Sequence, residues 1–136
     1  MSSFRLINRR PSIQLSKGLV CFIDIDGTLT DGTHREKIME ERGLVIGDYG
    51  DPNRKYPKGK QAFLEAFADP LLFSKDTTMI NAAEMIKSFN HFFIPVQIFY
   101  VTARDSLYHD KTEKDLRDRG LWKNGSRLVC KPHNQA

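Results

Sequence analysis

The run Leu-Val-Cys-Phe-Ile-Asp-Ile from Leu19 to Ile25 is apolar at odd and even positions alike. A strand of that pattern is buried on both faces, which predicts a parallel sheet covered by helices. A polar, glycine-containing stretch follows from Thr30 to Tyr56, with one short helical candidate, His34 to Arg42, ended by Gly43. Lys58 to Ala68 predicts a second helix, with Phe63, Leu64, Phe67 and then Leu71 marking its inner face. Asp76 is a natural N-cap for a longer helix, in which Met79, Ala82, Ala83, Ile86, Phe89 and Phe93 recur at three- and four-residue steps until Pro95 stops it. Val96 to Val101 is a β-rich run, Leu107 to Arg119 a charged helix ended by Gly120, and Arg127 to Cys130 a short third strand. Strand, helices, strand, helix, strand is the grammar of right-handed βαβ crossovers, so the expected fold is α/β, a three-layer open parallel sheet of Rossmann type.

Composition narrows this little further. The 136 residues, 40% hydrophobic and 28% charged, suffice for one core and argue against two. No apolar stretch approaches the length of a membrane span, and glycine and proline show no period, so transmembrane, collagen-like and disordered classes fall away. Lys and Arg number 21 against 17 Asp and Glu, a net +4 that mildly favours a polyanionic partner. Four of the basic residues, Arg5, Arg9, Arg10 and Lys17, sit in residues 1–18, which read as a basic arm or short edge strand before a core domain of residues 19–136. Cys21 and Cys130 lie in apolar runs and read as small buried hydrophobes, not as a disulfide framework. With no secretory signal pattern, the expected compartment is the cytoplasm.

In open parallel sheets ligands bind beyond the carboxyl ends of the strands. Two polar clusters fall there: Asp24-Ile25-Asp26-Gly27-Thr28-Leu29-Thr30 after the first strand and Thr102-Ala103-Arg104-Asp105 after the second. Carboxylates two residues apart on an ideal strand face the same way and repel unless a cation or a turn intervenes, and Gly27 permits the turn. Asp24 is then held rigidly at the strand tip while Asp26 swings into the loop, so that one carboxylate can attack and the other can trade a proton with a leaving group. A calcium loop fits poorly, because Leu29 stands where its glycine belongs and a strand, not a helix, precedes. An Asx turn accounts for one Asp and Gly27 but not for both acids with Thr28. Taken singly, Thr102 is equally an ordinary β-branched strand residue and Arg104 an ordinary surface charge; their pairing singles them out.

The first cluster resembles the first motif of the haloacid dehalogenase superfamily, and Val101-Thr102-Ala103-Arg104 resembles its second. That resemblance implies a phosphatase in which Asp24 attacks phosphorus to form an aspartyl-phosphate, Asp26 protonates the leaving oxygen and later activates water, and Thr102 hydrogen-bonds the phosphoryl oxygens. It further implies Mg²⁺ held by the Asp24 carboxylate and the Asp26 backbone carbonyl, with Gly27, Thr28 and Ala103 on the substrate side of the site. A narrower likeness, from about Val20 to Pro132, is to the phosphatase half of phage-type polynucleotide kinase/3′-phosphatases. That family has an arginine shortly after the first motif, matched by Arg35, and one ending the second, matched by Arg104; both would grip phosphate. The implied substrate is the 3′-phosphate end of a nucleic acid or nucleotide. As a surface residue of a short helix, Arg35 needs no such role. No G-x-x-x-x-G-K-[ST] is present, which excludes the kinase half, and the histidines His34, His91, His109 and His133 are scattered, without zinc spacing, as surface or satisfied groups.

The chain also departs from that pattern. The superfamily uses a lysine beside the phosphoryl group, for which Lys131 qualifies, although Lys131-Pro132 equally resembles a basic-Pro pair that precedes the catalytic lysine. No acidic residue follows Asp118, so the acidic fourth motif is missing and the core reads as C-terminally incomplete. If nothing follows Ala136, the first strand becomes an open edge, and weak Mg²⁺ binding, feeble hydrolysis and self-association are expected. A phosphatase of free mononucleotides and a non-catalytic binding module are the alternatives. The stretch at about 30–56 is expected to be a small lid.

Overall fold

A computed structural model of the protein describes residues 18–134. The basic arm therefore lies, apart from Gly18, outside the described residues. Strands β1 (Leu19–Asp24), β4 (Val96–Asp105) and β5 (Arg127–Lys131) form a parallel sheet in the order β1-β4-β5. In β1 and β4 the register runs from Leu19 opposite Val96 to Asp24 opposite Val101, so the two predicted motifs leave the sheet side by side. The pairing of β4 with β5 breaks step between Val101 and Asp105, the stretch that carries the second motif.

Helices α3 (Ala82–Ser88) and α4 (His109–Asp118) pack on the sheet, with the following segment Leu121–Trp122. Ile86, Leu116 and Leu121 close over Ile23, Ile98, Tyr100 and Leu128, the main core. All inward residues of β4 are even-numbered, as the two-residue strand period requires. Tyr100, fully buried, stacks on Trp122 at 5.1 Å and donates its hydroxyl to the Leu121 carbonyl.

The opposite face corrects the expectation of a strand buried on both sides. Val20 is 60% and Phe22 69% exposed, and Val101 and Val129 continue the same open face. Phe22 stacks on Phe99 across the ladder, 5.3 Å between centroids. Among the described residues β1 is an edge strand and the packed helices lie on one face. The sequence pattern reported the apolar character of both faces correctly, but it carried no information on whether a cover is present.

The insertion between β1 and α3 leaves and re-enters the core through a two-stranded antiparallel stalk, β2 (Thr30–Asp31) and β3 (Thr77–Thr78), with Thr30 opposite Thr78. Between them α1 (His34–Glu41) and α2 (Lys60–Phe67) enclose a second small core of Met39, Val45, Phe63 and Leu72. The lid fold thus recruits residues beyond the polar stretch 30–56, because that stretch alone has too few apolar side chains to bury.

The longest predicted helix is shorter than its apolar spacing suggests. Asp76 is not an N-cap: Thr77 and Thr78 are tied into the stalk, Asn81 adopts φ 66°, and α3 starts at Ala82. It gives way to a 3-10 turn, Phe89–His91, and Phe93 is fully exposed. By contrast α4 ends as expected, with Gly120 at φ 73° accepting the left-handed turn. Both cysteines are free and half-buried, and no described helix is long and apolar enough to cross a membrane.

Candidate active site

The loop after β1 is wound tightly. The amides of Thr28, Leu29 and Thr30 all donate to the Ile25 carbonyl, at 3.2, 2.9 and 3.1 Å, and the buried side chains of Ile25 and Leu29 pin it to the core. Gly27, at φ 82°, donates its N–H to the Thr30 carbonyl at 2.8 Å, a conformation that strains any side chain. This turn separates the two carboxylates. Asp24 stays at the tip of β1, exposed, its Oδ2 accepting, among the described residues, only a long 3.4 Å bond from Thr28. Asp26 is carried toward the end of β4.

There it meets the second motif. Thr102 Oγ1 donates to Asp26 Oδ2 at 3.0 Å, and Arg104 grips the same carboxylate through Nη2 at 2.8 Å and Nε at 3.2 Å. The Arg104 amide in turn donates to Thr102 Oγ1 at 3.1 Å. Thr102 and Arg104 occupy inward positions of β4 and are buried, whereas Ala103 between them points out and is exposed. The Arg104 guanidinium lies 3.9 Å over the Phe73 ring, and its Nη1 has no hydrogen-bond partner among the described residues.

Behind Arg104 lies a buried ionic network that the sequence did not suggest. The Asp76 carboxylate has no solvent exposure and accepts a fork from Arg35, Nε on Oδ1 at 2.9 Å and Nη2 on Oδ2. His34 Nε2 reaches the same Oδ1 at 2.7 Å, and Arg104 Nη2 lies 3.6 Å from Oδ2. Asp115 of α4 stands 3.9 Å from Arg104 Nη1 and accepts from Arg119 Nε at 3.0 Å, while Arg119 also binds the Phe73 carbonyl and Thr78 Oγ1. Burial pushes the Asp115 carboxyl above its ordinary range, against the pull of Arg119 and Arg104. The exposed Asp26 and the buried Asp76 and Asp115 thus face the buried Arg35 and Arg104 and the partly buried Arg119, sign for sign, which is how the buried charge is tolerated.

Arg35 is consequently placed otherwise than as an open phosphate clamp. It is buried, its remaining nitrogen, Nη1, donates to the Phe67 carbonyl at 2.9 Å, and the group anchors the lid to its stalk. Gly32 is tucked against this pair, where an added Cβ would come within 3.3 Å of Arg35 Nε. Lys131 ends β5 exposed, in register with Asp105, and is not among the residues lining the cavity described below. Of the histidines, His34 serves Asp76, His133 bonds Asp105 at 2.9 Å, and His109 reaches the Leu128 carbonyl at 3.2 Å.

A cavity of about 720 Å³ opens between core and lid, bounded by Asp26, Gly27 and Arg104 on one side and by Glu36, Tyr49 and Phe67 on the other. No known protein-family model matches the chain, and no curated protein does. The chemistry of the site therefore rests on its own geometry. Among the described residues no three His, Cys, Asp or Glu side chains group as a metal cage. The donors that are present are hard oxygens: the Asp24 carboxylate, its Oδ1 uncommitted among the described residues, and the Asp26 carbonyl, which takes none of the loop amides. That set suits Mg²⁺, which is commonly held by one or two carboxylates with the balance from water and substrate phosphate.

The network was missed for a physical reason. Asp76 precedes β3 while Asp115 and Arg119 belong to α4 and its C-terminal cap, far along the chain, and only the i,i+4 spacing of Asp115 and Arg119 beside the inward Leu116 hinted at a pair turned toward the core.

Proposed function

We propose that this protein is a Mg²⁺-dependent phosphomonoesterase of the haloacid dehalogenase type, acting on 3′-phosphate ends of nucleotides or nucleic acid. The observation that carries the reading is the different setting of two carboxylates two residues apart. Asp24 is free at a rigid strand tip, and Asp26 is held by Thr102 and Arg104 from the neighbouring strand.

Asp24 Oδ1 attacks phosphorus, and the bond from phosphorus to the ester oxygen breaks as Asp26 gives that oxygen its proton. Asp26 then removes a proton from water, the water oxygen attacks the aspartyl-phosphate, and inorganic phosphate leaves with Asp24 restored. Thr102 and the Arg104 fork exchange Asp26 for the phosphoryl oxygens as the substrate enters, so that charge stays matched throughout. The metal, held by Asp24 and the Asp26 carbonyl, would neutralise charge on the transferring group. Asp76, itself gripped by Arg35, holds Arg104 from behind.

The test is release of inorganic phosphate from a 3′-phosphorylated oligonucleotide with and without Mg²⁺, beside the Asp24→Asn chain. Turnover that needs both Mg²⁺ and Asp24 supports the reading. Absence of turnover, or turnover indifferent to Asp24, overturns it.

A further inference from the structure

The cavity between core and lid is lopsided in a way the phosphatase chemistry does not use. Its core side presents Asp26, Gly27, Ala103 and Arg104, whereas its lid side sets the aromatic rings of Tyr49 and Phe67 beside Glu36 and the buried Arg35. Tyr49 is 90% exposed, on a lid loop, an unusual place for a large ring that packs on almost nothing. What it does meet is the Arg54 guanidinium, 5.8 Å from its centroid. Arg54 is itself fixed on three other sides, by the rings of Tyr56 and Phe63 and by the Glu36 carboxylate, to which Nη2 donates at 2.9 and 3.1 Å. One face of Tyr49 is thus backed by an anchored cation, and the ring stands at the mouth of the cavity beside Glu36, a fixed acceptor.

We infer that the lid wall is a nucleobase subsite, in which the base of the 3′-terminal nucleotide stacks on Tyr49 while its phosphate lies against the core wall. The inference rests on the phosphatase reading for the placement of the phosphate and adds the part of the substrate that the lid recognises. A volume of about 720 Å³ accommodates one nucleotide with its solvent, and stacking on an aromatic face is tolerant of base identity. Glu36 supplies an acceptor for an exocyclic amine, so bases bearing one bind more tightly than those without.

The test is equilibrium binding to the full 136-residue chain carrying Asp24→Asn, which prevents turnover and separates this result from the fate of the phosphatase reading. The probes are a nucleoside 3′-monophosphate, a 3′-phosphorylated oligonucleotide and an abasic sugar phosphate. Adding Tyr49→Ala is expected to weaken binding of both base-bearing probes roughly tenfold, in line with the usual worth of one stacked base, and Tyr49→Trp to retain it. The abasic phosphate should bind the Tyr49→Ala chain as before. Because Tyr49 is exposed, its truncation leaves the fold intact, which a melting curve checks. Base-bearing probes that bind the Tyr49→Ala chain within twofold of the parent overturn the proposal, as does equal weakening of the abasic phosphate. Weakening of the oligonucleotide alone also overturns it, because the ring would then be contacting an upstream nucleotide.

Discussion

Asp24 and Asp26 are chemically identical and two residues apart, yet their surroundings differ. One carboxylate has a single long hydrogen bond from Thr28, and the other is gripped by an arginine fork and a hydroxyl. Asp24→Asn is therefore expected to lower phosphate release by at least about a thousandfold while leaving the melting temperature unchanged, since the carboxylate is not part of the packing. Steady-state turnover and a melting curve on the same preparation check both halves. Arg104→Lys removes the fork but keeps the charge, and should reduce kcat/KM by about 10- to 100-fold. Both motifs were legible because each is a short run whose residues act next to one another. Asp76 was not: its aspartate before an apolar helical spacing fits an N-cap, and only the fold shows its carboxylate buried between Arg35 and Arg104.

The elements meet where that carboxylate lies. Asp76 precedes β3, Arg35 belongs to α1 and Arg104 to β4, so one side chain joins stalk, lid and sheet. Asp76→Ala leaves two buried guanidiniums facing each other and is expected to destabilise the protein by about 3–5 kcal/mol, measured by urea unfolding. A smaller device closes the end of β4. The Asp105 carboxylate is held below its usual range, first by the Leu107 amide and then by His133. A depressed carboxyl stabilises the fold above its unfolded pKa, near 3.8, and that contribution is lost as pH falls through the lower folded value. A carboxyl NMR titration should place Asp105 below the ordinary range, and His133→Ala should raise it only part of the way, because the Leu107 bond remains. Helix ends at Gly43 and Gly120 were readable from the chain, as local turn chemistry should be. The overlong helix after Asp76 was misread because Phe89 and Phe93 keep helical spacing while the chain from Asp76 to Asn81 is bound into the stalk.

At the scale of the whole molecule, the sheet offers Val20, Phe22, Val101 and Val129 on one open face beside the edge of β1, which is unpaired among the described residues. An apolar, unpaired edge invites strand addition. The 136-residue chain is expected to self-associate in sedimentation velocity at micromolar concentration, and Phe22→Glu to shift it toward monomer; a concentration-independent monomer in both proteins would refute this. The α/β class and the parallel sheet follow from the apolar runs, but the strand order β1-β4-β5 and the one-sided cover seen among the described residues do not, since a strand's composition is silent about what lies beside or against it. The central claim remains that Asp24 forms a bond to phosphorus. Its most direct measurement is acid quenching of the chain during turnover of a 3′-phosphorylated oligonucleotide with Mg²⁺, followed by peptide mass spectrometry. The account predicts one phosphoryl group on the peptide containing Asp24, absent from the Asp24→Asn chain. Turnover with no phosphorylated peptide, or with the group on another residue, would contradict it.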